Sequence, residues 1–292
     1  MNLYNTSSII EVNRNGYWCL MSFKDKTIII SGGSRGIGLA IAKSVAKDGA
    51  NVVLAAKTSE PHSILPGTVF SAAEEVESVG GTALPIVCDV REEEQINNVV
   101  TETLKQFKKI DALILNASAL APQGTLDIPT KKFDLMSDIN QRGTFLMGRA
   151  CIPHLIKSDN PHILTISPPI NFADHWWGKY LPWTMMKYSM SLCVLAWSQE
   201  FSKSGLAANA LWPKTVISTA ATKMLGEEVF KKSRKPEIMG DAAYWILSQQ
   251  SQSCNGNYFL DETVLKNNGI TDFDVYANDP STPPLKDWLV DD

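Results

Sequence analysis

Apolar residues of this chain fall into short runs that alternate with longer amphipathic segments from Lys26 almost to the end. Seven runs are short and rich in β-branched residues, as expected of strands covered on both faces: Thr27–Ser31, Asn51–Ala56, Ala83–Cys88, Ala112–Asn116, His162–Ile166, Ala207–Leu211 and Asn257–Leu260. Helical patterns lie between them: Gly38–Asp48, Ser71–Val79, Glu92–Phe107, Lys131–Leu155, Trp183–Phe201 and Gly240–Gln249. This alternation is typical of βαβ units, which build a parallel sheet.

The pattern predicts an α/β fold: a Rossmann-type, doubly wound parallel sheet of seven strands in a single domain. We place that domain at residues 23–267. Residues 1–22 are predicted to form a flexible N-terminal arm. The tail at residues 268–292 has no regular period and contains Pro280, Pro283 and Pro284, so we expect it to wrap the surface or a neighbouring subunit.

Charge and composition exclude several classes of partner. The 292 residues carry 27 Lys and Arg against 31 Asp and Glu, a formal net charge of −4, with no basic stripe. Nucleic acid is therefore not an expected partner. No run approaches the roughly 18 apolar residues that span a bilayer, and no signal-peptide core is present. We therefore expect a cytoplasmic protein without a membrane span.

The cysteines give no sign of a disulfide framework or a metal site. They are five in number and far apart: Cys19, Cys88, Cys151, Cys193 and Cys254. None forms a C-x-x-C pair, the usual spacing of zinc ligands and redox sites. We expect reduced thiols and no metal.

A glycine-rich turn joins the first predicted strand to the first predicted helix. After Ser31 it reads Gly32, Gly33, Ser34, Arg35, Gly36, Ile37 and Gly38. Glycines at such a turn let the backbone approach a pyrophosphate, which free N–H groups and the positive end of the helix dipole stabilise. A tight turn without a ligand is the alternative. The strand before the turn and the amphipathic helix after it favour a dinucleotide, so residues 32–38 are candidate cofactor-binding residues.

The end of the second strand bears on the choice between NAD(H) and NADP(H). An acidic residue there would bind the ribose 2′-hydroxyl, but the chain reads Ala55, Ala56, Lys57 and Thr58. Arg35 and Lys57 instead supply two cations for a 2′-phosphate. We therefore expect NADP(H) as the cofactor, and the alternative is a Lys57 that lies on a solvated loop.

Further motifs make the chain resemble the short-chain dehydrogenase/reductase family from about residue 22 to residue 262. The shared positions are the Ser31–Gly38 turn, Asp89-Val90, Asn116-Ala117, Asn140, Ser167, Lys187 and Pro213-Lys214-x-x-Ile217-x-Thr219. Within the family the chain looks most like the hydroxysteroid dehydrogenase-like protein 2 branch, in Ala55–Thr58, Ile166–Pro169 and Leu211–Thr215. That branch can carry a C-terminal sterol-carrier-like domain, which 292 residues are too few to include.

The resemblance implies roles for residues at the cofactor. Asp89, next to Val90, would contact the adenine. Asn116 would line the cofactor cleft. Ile217 and Thr219 would hold the amide of the nicotinamide.

The resemblance also implies hydride transfer between a nicotinamide and a carbonyl or alcohol. The family uses the tyrosine of a Tyr-x-x-x-Lys motif as acid and base, and its lysine contacts the ribose and lowers the tyrosine pKa. Lys187 matches this lysine. Ser167 would polarise the substrate oxygen, and Asn140 would anchor a water that relays protons.

The tyrosine of that motif is replaced in this chain. Trp183 stands four residues before Lys187, and an indole N–H does not release a proton as a phenol with a pKa of about 10 does. Tyr180 is a candidate substitute, because it lies about one helical turn before Trp183. The alternative is that Pro182 starts the helix and leaves Tyr180 on the preceding loop.

Two functions remain open from the sequence. One is an NADP(H)-dependent oxidoreductase that acts on a small hydrophobic carbonyl or alcohol. The other is a catalytically impaired member that binds the cofactor and serves as a redox-responsive binding or assembly subunit. In either case we expect a homo-oligomer, a dimer or tetramer, formed through the helices at Lys131–Leu155 and Trp183–Phe201, as in many members of the family.

Overall fold

A computed structural model describes residues 21–61, 66–223 and 225–291. The strands are β1 (Thr27–Ser31), β2 (Asn51–Ala56), β3 (Thr82–Val87), β4 (Ala112–Leu115), β5 (His162–Ile166), β6 (Ala207–Trp212) and β7 (Tyr258–Leu260). The helices are α1 (Gly36–Ala46), α2 (Val69–Ser78), α3 (Glu93–Phe107), α4 (Thr130–Met136), α5 (Thr144–Leu155), α6 (Asp174–Glu200), α7 (Ala220–Lys223), α8 (Glu227–Lys231), α9 (Glu237–Leu247) and α10 (Asp261–Asn267). Most of the predicted N-terminal arm, residues 1–20, lies outside the described residues.

All seven strands are parallel and pair in the order β3-β2-β1-β4-β5-β6-β7. The predicted doubly wound sheet is therefore confirmed. The order in which strands are added reverses between β1 and β4, because β2 and β3 extend the sheet on one side of β1 and β4 to β7 extend it on the other; Ser31 pairs with Ala55 and with Leu115. In open α/β sheets the crevice at such a switch point, outside the carboxyl ends of the strands, is where ligands bind.

Alternation along the central strands divides the core into two layers. Ile28 and Ile30 of β1 face one apolar cluster, and Ile29 faces the other. The first cluster is covered by α1 and α9, and the second by α3 and α5. All three isoleucines are fully buried, so β1 has no solvent face, as the unbroken apolar runs of the sequence predict.

The predicted helix at Lys131–Leu155 is built in three parts. A π-helical turn, Ser137–Gly143, joins α4 to α5. A Cβ on Gly143 would lie 2.9 Å from Cγ2 of Val90, so glycine lets this turn approach the segment after β3. Such π turns are frequent at functional sites, and this one carries Asn140.

Helix α6 begins nine residues before the predicted start at Trp183. Its backbone is interrupted at Tyr180, which has φ −134° and ψ 39°. Pro182 has no N–H to continue the preceding turn, which accounts for an interruption at this place. A helical turn thus forms where the sequence predicts a loop, and Tyr180 marks the kink between the two parts.

The segment after α10 packs back onto the domain as a strap. Its carbonyl at Leu285 accepts a hydrogen bond from Val216 N–H at 2.9 Å, and Asp287 N–H donates to the Lys214 carbonyl at 3.0 Å. Leu289 and Val290 are buried. The tail therefore reaches the carboxyl ends of β5 and β6. In the part of the chain described here, no helix is both long and apolar enough to cross a membrane.

Candidate active site

A cleft of about 410 Å³ lies at the carboxyl ends of β1, β2 and β4. Of the predicted cofactor residues, ten line it: Gly32, Ser34, Arg35, Gly36, Ile37, Lys57, Asp89, Val90, Asn116 and Thr219. We call this the cofactor cleft. The two remaining glycines of the turn do not line it. Gly33 packs beside Leu54, and Gly38 packs against the carbonyl of Gly32.

The glycine turn has the geometry that a bound pyrophosphate requires. Gly32 and Gly36 have φ of +68° and +54°, values that favour glycine. A Cβ on Gly38 would lie 2.5 Å from the Gly32 carbonyl oxygen, so only glycine allows α1 to start so close to the strand. Helix α1 begins without a side-chain cap, which leaves N–H groups of its first turn at the cleft. These residues fit a dinucleotide.

Two cations, Lys57 and Arg91, pair with Asp89 in the cleft. Lys57 Nζ lies 3.2 Å from Asp89 Oδ2, and Arg91 Nη2 lies 2.6 Å from the same oxygen. The hydrogen bond from Arg91 holds the pKa of Asp89 well below its ordinary range, so this carboxylate stays ionised. Arg35 donates to the Gly67 carbonyl at 3.0 Å. Arg91 was not predicted, although it follows Asp89 by only two residues.

Asn116 joins the glycine turn to β4. Its Nδ2 donates to the carbonyls of Ser31 and Gly32, at 3.2 and 2.9 Å. The side chain therefore holds the turn in place as well as lining the cleft.

Asn140 makes a similar clamp on the segment that follows β4. Its Oδ1 accepts from Ala119 N–H at 2.7 Å, and its Nδ2 donates to the Ala119 carbonyl at 3.0 Å. Asn140 is fully buried and lines neither cavity of the site. Its amide thus positions the backbone next to the site.

A second cavity, of about 480 Å³, adjoins the cofactor cleft. The two share the lining residues Ile37, Asn116, Ser118 and Thr219. The wall of this second cavity is mainly apolar and includes Ile217, Trp183, Trp212 and Trp288. We call it the substrate cavity. A ligand in it would lie directly beside whatever occupies the inner end of the cleft.

Lys187 is the buried cation of the substrate cavity. Its Nζ donates to the Ile166 carbonyl at 3.0 Å and lies 4.9 Å from the centre of the Trp212 ring. No carboxylate among the described residues is within 4.0 Å of it. Burial lowers the pKa of Lys187 to about 7. Its charge is therefore sensitive to any polar ligand that enters the cavity.

Trp183 is packed between two other indoles. Its ring centre lies 5.3 Å from that of Trp288, edge to face, and 6.3 Å from that of Trp212. Only 4% of the residue is exposed, and Nε1 has no hydrogen-bond partner among the described residues. The ring therefore shapes the cavity wall.

The other two predicted catalytic residues, Ser167 and Tyr180, do not line the substrate cavity. Ser167 is fully buried, and its Oγ has no partner among the described residues. Tyr180 stacks on Trp288, with ring centres 5.2 Å apart. Of the four predicted catalytic residues, only Lys187 lines the cavity.

The sequence reasoning missed the contribution of the tail. Leu285, Asp287 and Trp288 line the substrate cavity, and Trp212 Nε1 donates to the Trp288 carbonyl at 2.9 Å. No motif marks these residues, because the tail has neither periodicity nor a recognisable spacing. The aromatic and acidic residues around Trp288 are the one sequence feature that could have indicated a role for the tail.

Comparisons with known proteins agree with this geometry. The profile of the family described as short chain dehydrogenase matches residues 26–229. The chain belongs to that family. The prediction of this family from the sequence motifs is therefore confirmed.

Individual relatives define the branch of the family. Hydroxysteroid dehydrogenase-like protein 2 of Danio rerio is 54% identical over 266 residues, which cover 91% of this chain and 64% of that protein. The human protein of the same name is 51% identical over 267 residues, which cover 91% of this chain and 63% of that protein. The predicted similarity to this branch is confirmed. This chain thus spans somewhat less than two thirds of the length of these relatives.

A solved structure matches almost the whole chain. A putative dehydrogenase from Xanthomonas campestris is 46% identical, with a TM-score of 0.91 over 93% of this chain and 100% of its own. The fold described above is therefore shared with that protein over 93% of this chain. Membership of the family implies a nicotinamide cofactor, which the glycine turn and cleft fit.

Proposed function

We propose that this protein is an NADP(H)-dependent short-chain oxidoreductase that interconverts a hydrophobic carbonyl compound and its alcohol. The observation that carries the proposal is the junction of the two cavities. The cofactor cleft and the substrate cavity share the lining residues Asn116 and Thr219, and the buried Lys187 lines the substrate cavity. A nicotinamide at the inner end of the cleft would face a substrate in a mainly apolar cavity. When bound, the reduced cofactor supplies the hydride.

The preference for NADP(H) is supported by the charges near the adenosine end. Lys57, Arg35 and Arg91 line the cleft, whereas β2 ends in Ala56 rather than in an acidic residue. Asp89 already pairs with Lys57 and Arg91, so a 2′-phosphate would compete with a carboxylate for these cations. Arg91 adds a third donor to the two that the sequence analysis identified.

The class of substrate follows from the cavity wall. Tryptophan rings and aliphatic side chains provide a large apolar surface, and polar groups are few. Such a cavity favours a flat or branched apolar molecule with one polar oxygen. The name of the relatives, hydroxysteroid dehydrogenase-like, is consistent with a bulky apolar alcohol or ketone.

A second candidate function is a cofactor-binding protein without efficient turnover. The observation that favours it is the side chain at the position of the family tyrosine. The Trp183 indole is no proton donor of the required acidity, and its buried ring narrows the cavity. Such a protein would bind NADP(H), and its binding to a partner would depend on whether the cofactor is oxidised or reduced.

The decisive experiment measures NADPH oxidation against a panel of aldehydes and apolar ketones, with the wild type and Trp183→Tyr. Turnover by the wild type supports the oxidoreductase. A wild type that binds NADPH but turns over no compound, while Trp183→Tyr gains activity, would establish the second function instead.

We also propose that the protein is a homo-oligomer through α5 and α6. Four large apolar side chains on these helices are between 43% and 53% exposed: Phe145, Met185, Leu192 and Leu195. Surfaces of this kind are typical of subunit contacts. Light scattering at micromolar concentration should give a dimer or tetramer, and Leu192→Glu with Leu195→Glu should shift it to the monomer. A strictly monomeric wild type would refute the proposal.

A further inference from the structure

The tail places one carboxyl group in the wall of the substrate cavity. Asp287 and Lys187 are the two ionisable residues among the described residues that line this cavity. The Asp287 backbone is held by its N–H bond to the Lys214 carbonyl, and its Oδ1 accepts from Trp288 N–H at 2.6 Å. Its Oδ2 has no hydrogen bond to a described residue. One oxygen is thus fixed and the other is available to a ligand.

We propose that Asp287 is the acid and base of the reaction, in place of the tyrosine that Trp183 replaces. The inference rests on the proposed oxidoreductase function and deepens it. A carboxyl group on the C-terminal strap exchanges a proton with the substrate oxygen, while Lys187 provides positive charge in the same cavity.

The other polar groups nearby are less suited to this role. Trp183 has only an indole N–H, Tyr180 is stacked on Trp288 away from the cavity lining, and Ser167 is fully buried. Asp287 combines a titratable group with a position in the wall. It therefore accounts for proton transfer without a residue at the tyrosine position.

The chemical step balances with the groups named. In carbonyl reduction the carbonyl carbon gains a hydride from the reduced nicotinamide, so the cofactor is oxidised and the C=O π bond breaks. Oδ2 of Asp287 gives its proton to the substrate oxygen, which forms the O–H bond of the alcohol. The carboxylate left behind is reprotonated from solvent, because Asp287 is only partly buried. Alcohol oxidation runs through the same groups in reverse.

The electrostatic surroundings are consistent with a carboxyl group that changes charge near neutral pH. Desolvation, with a smaller contribution from the nearby Asp261, raises the pKa of Asp287 to about 7. The hydrogen bond from Trp288 N–H and, to a lesser extent, the positive charge of Lys187 oppose that rise. Asp261 caps the Lys214 and Glu262 N–H groups. The charges of Lys214 and Glu262 pair with each other, and Arg234 bonds to Glu262.

The test compares Asp287→Asn with the wild type on the best substrate of the carbonyl panel. Asparagine keeps the size of the side chain and the acceptor for Trp288 N–H, so the fold should persist. General acid–base catalysis typically contributes 10²–10⁴-fold, and we expect a loss of kcat of about that size with the dissociation constant of NADPH within about 3-fold. The matched control is Asp279→Asn, an aspartate of the same tail that bonds to Ser281 and lines neither cavity, and this variant should retain wild-type kcat.

A second variant distinguishes chemistry from positioning. In Trp183→Tyr/Asp287→Asn, the phenol restores an acid beside Lys187, so activity should return without Asp287. For wild-type reduction, kcat should fall as pH rises through about 7, and the double variant, which keeps Lys187 but lacks the carboxyl group, should show a smaller fall over the same pH range. If Asp287→Asn keeps wild-type kcat and pH profile, the inference is overturned while the oxidoreductase function stands. A wild type without turnover overturns both.

A readout independent of turnover completes the test. Difference infrared spectra of the wild type between pH 5 and pH 9 should contain the C=O band of a protonated carboxyl group that disappears near pH 7. The band should be missing in Asp287→Asn and present in Asp279→Asn. A wild-type spectrum in which no carboxyl group titrates above pH 6 would exclude Asp287 as an acid at neutral pH, whatever the activity.

Discussion

The cofactor cleft and the substrate cavity are built in different ways, although they adjoin. Most of the cleft consists of short stretches at the ends of β1, β2, β3 and β4, and Leu135, Ile139, Thr219 and Ala220 complete its wall. The substrate cavity combines the end of β5, the middle of α6, the loop after β6 and the tail. Together with residues shared with the cleft, its lining extends along the chain from Ile37 to Trp288.

This difference decides what each region can tolerate. The cleft depends on backbone geometry at glycines, which a Cβ would disturb. The cavity depends on the packing of large rings, particularly the contacts of Trp183 with Trp212 and Trp288. Changes of backbone conformation should therefore damage the first region, and changes of side-chain volume the second.

The largest effect on stability is expected from Trp183→Ala. Removal of a buried tryptophan leaves a cavity that the neighbouring rings fill only in part, so the free energy of unfolding should fall by about 3–5 kcal/mol. Urea denaturation followed by circular dichroism measures it. The control is Leu126→Ala, at a side chain that is 97% exposed, which should change stability by less than about 0.5 kcal/mol. Equal effects of the two variants would show that the ring is not part of the core.

A smaller loss is expected at the glycine turn from Gly38→Ala. The new Cβ would lie 2.5 Å from the Gly32 carbonyl oxygen, so the turn must shift, at a cost of about 1–3 kcal/mol. Binding of NADPH, measured by fluorescence titration, should be lost with it. Gly178→Ala is the matched control, because no atom lies within 4 Å of a Cβ there. Retained binding in Gly38→Ala would contradict the assignment of the cleft.

The charge of Lys187 should make stability depend on pH. Burial lowers its pKa to about 7 in the folded protein, from an ordinary value of 10.5, so between these pH values the unfolded chain binds more protons than the native state. Stability of the wild type relative to Lys187→Met should therefore rise with pH in this window, by at most about 1.4 kcal/mol per unit. Chemical denaturation at pH 7, 8, 9 and 10 measures the difference. A flat difference would show that Lys187 is not desolvated.

The smallest expected effect concerns the choice of cofactor. Contacts of Arg35, Lys57 and Arg91 with the 2′-phosphate should make NADPH bind at least about 10-fold more tightly than NADH, equivalent to about 1.4 kcal/mol. Fluorescence titration should show that Lys57→Ala lowers the affinity for NADPH more than the affinity for NADH. Lys105→Ala serves as control, because Lys105 pairs with Glu102 on α3. Equal affinities of the wild type for the two cofactors would refute NADP(H) preference.

Much of the fold could be predicted because each strand and each long helix has a recognisable pattern within its own stretch of sequence. Strands β1, β2 and β5 begin and end at the predicted residues, and the others differ by one residue at an end or at both ends. Buried parallel strands are contiguous apolar runs, so composition alone locates them. The short helices α7, α8 and α10 were missed, since four to seven residues do not establish a helical period.

At the candidate site the sequence located lining residues, whereas their roles stay predictions. Gly32, Gly36, Lys57, Asp89 and Asn116 line the cleft, and each follows a strand of the sheet. Arg91 and Asp287 were missed. Arg91 reaches the cleft by a bidentate contact with Asp89, which only the orientation of two side chains establishes.

The sequence by itself determined the parallel sheet, the dinucleotide turn and the absence of a tyrosine four residues before Lys187, because apolar runs, glycines and motif spacing are local properties. Tertiary structure alone decided that the tail returns to the carboxyl ends of β5 and β6, that three tryptophan rings form one wall, and that Asp287 lies in the same cavity as Lys187. The tail is held by isolated backbone hydrogen bonds and by the burial of Leu289 and Val290. Neither kind of contact produces a periodic pattern in the sequence.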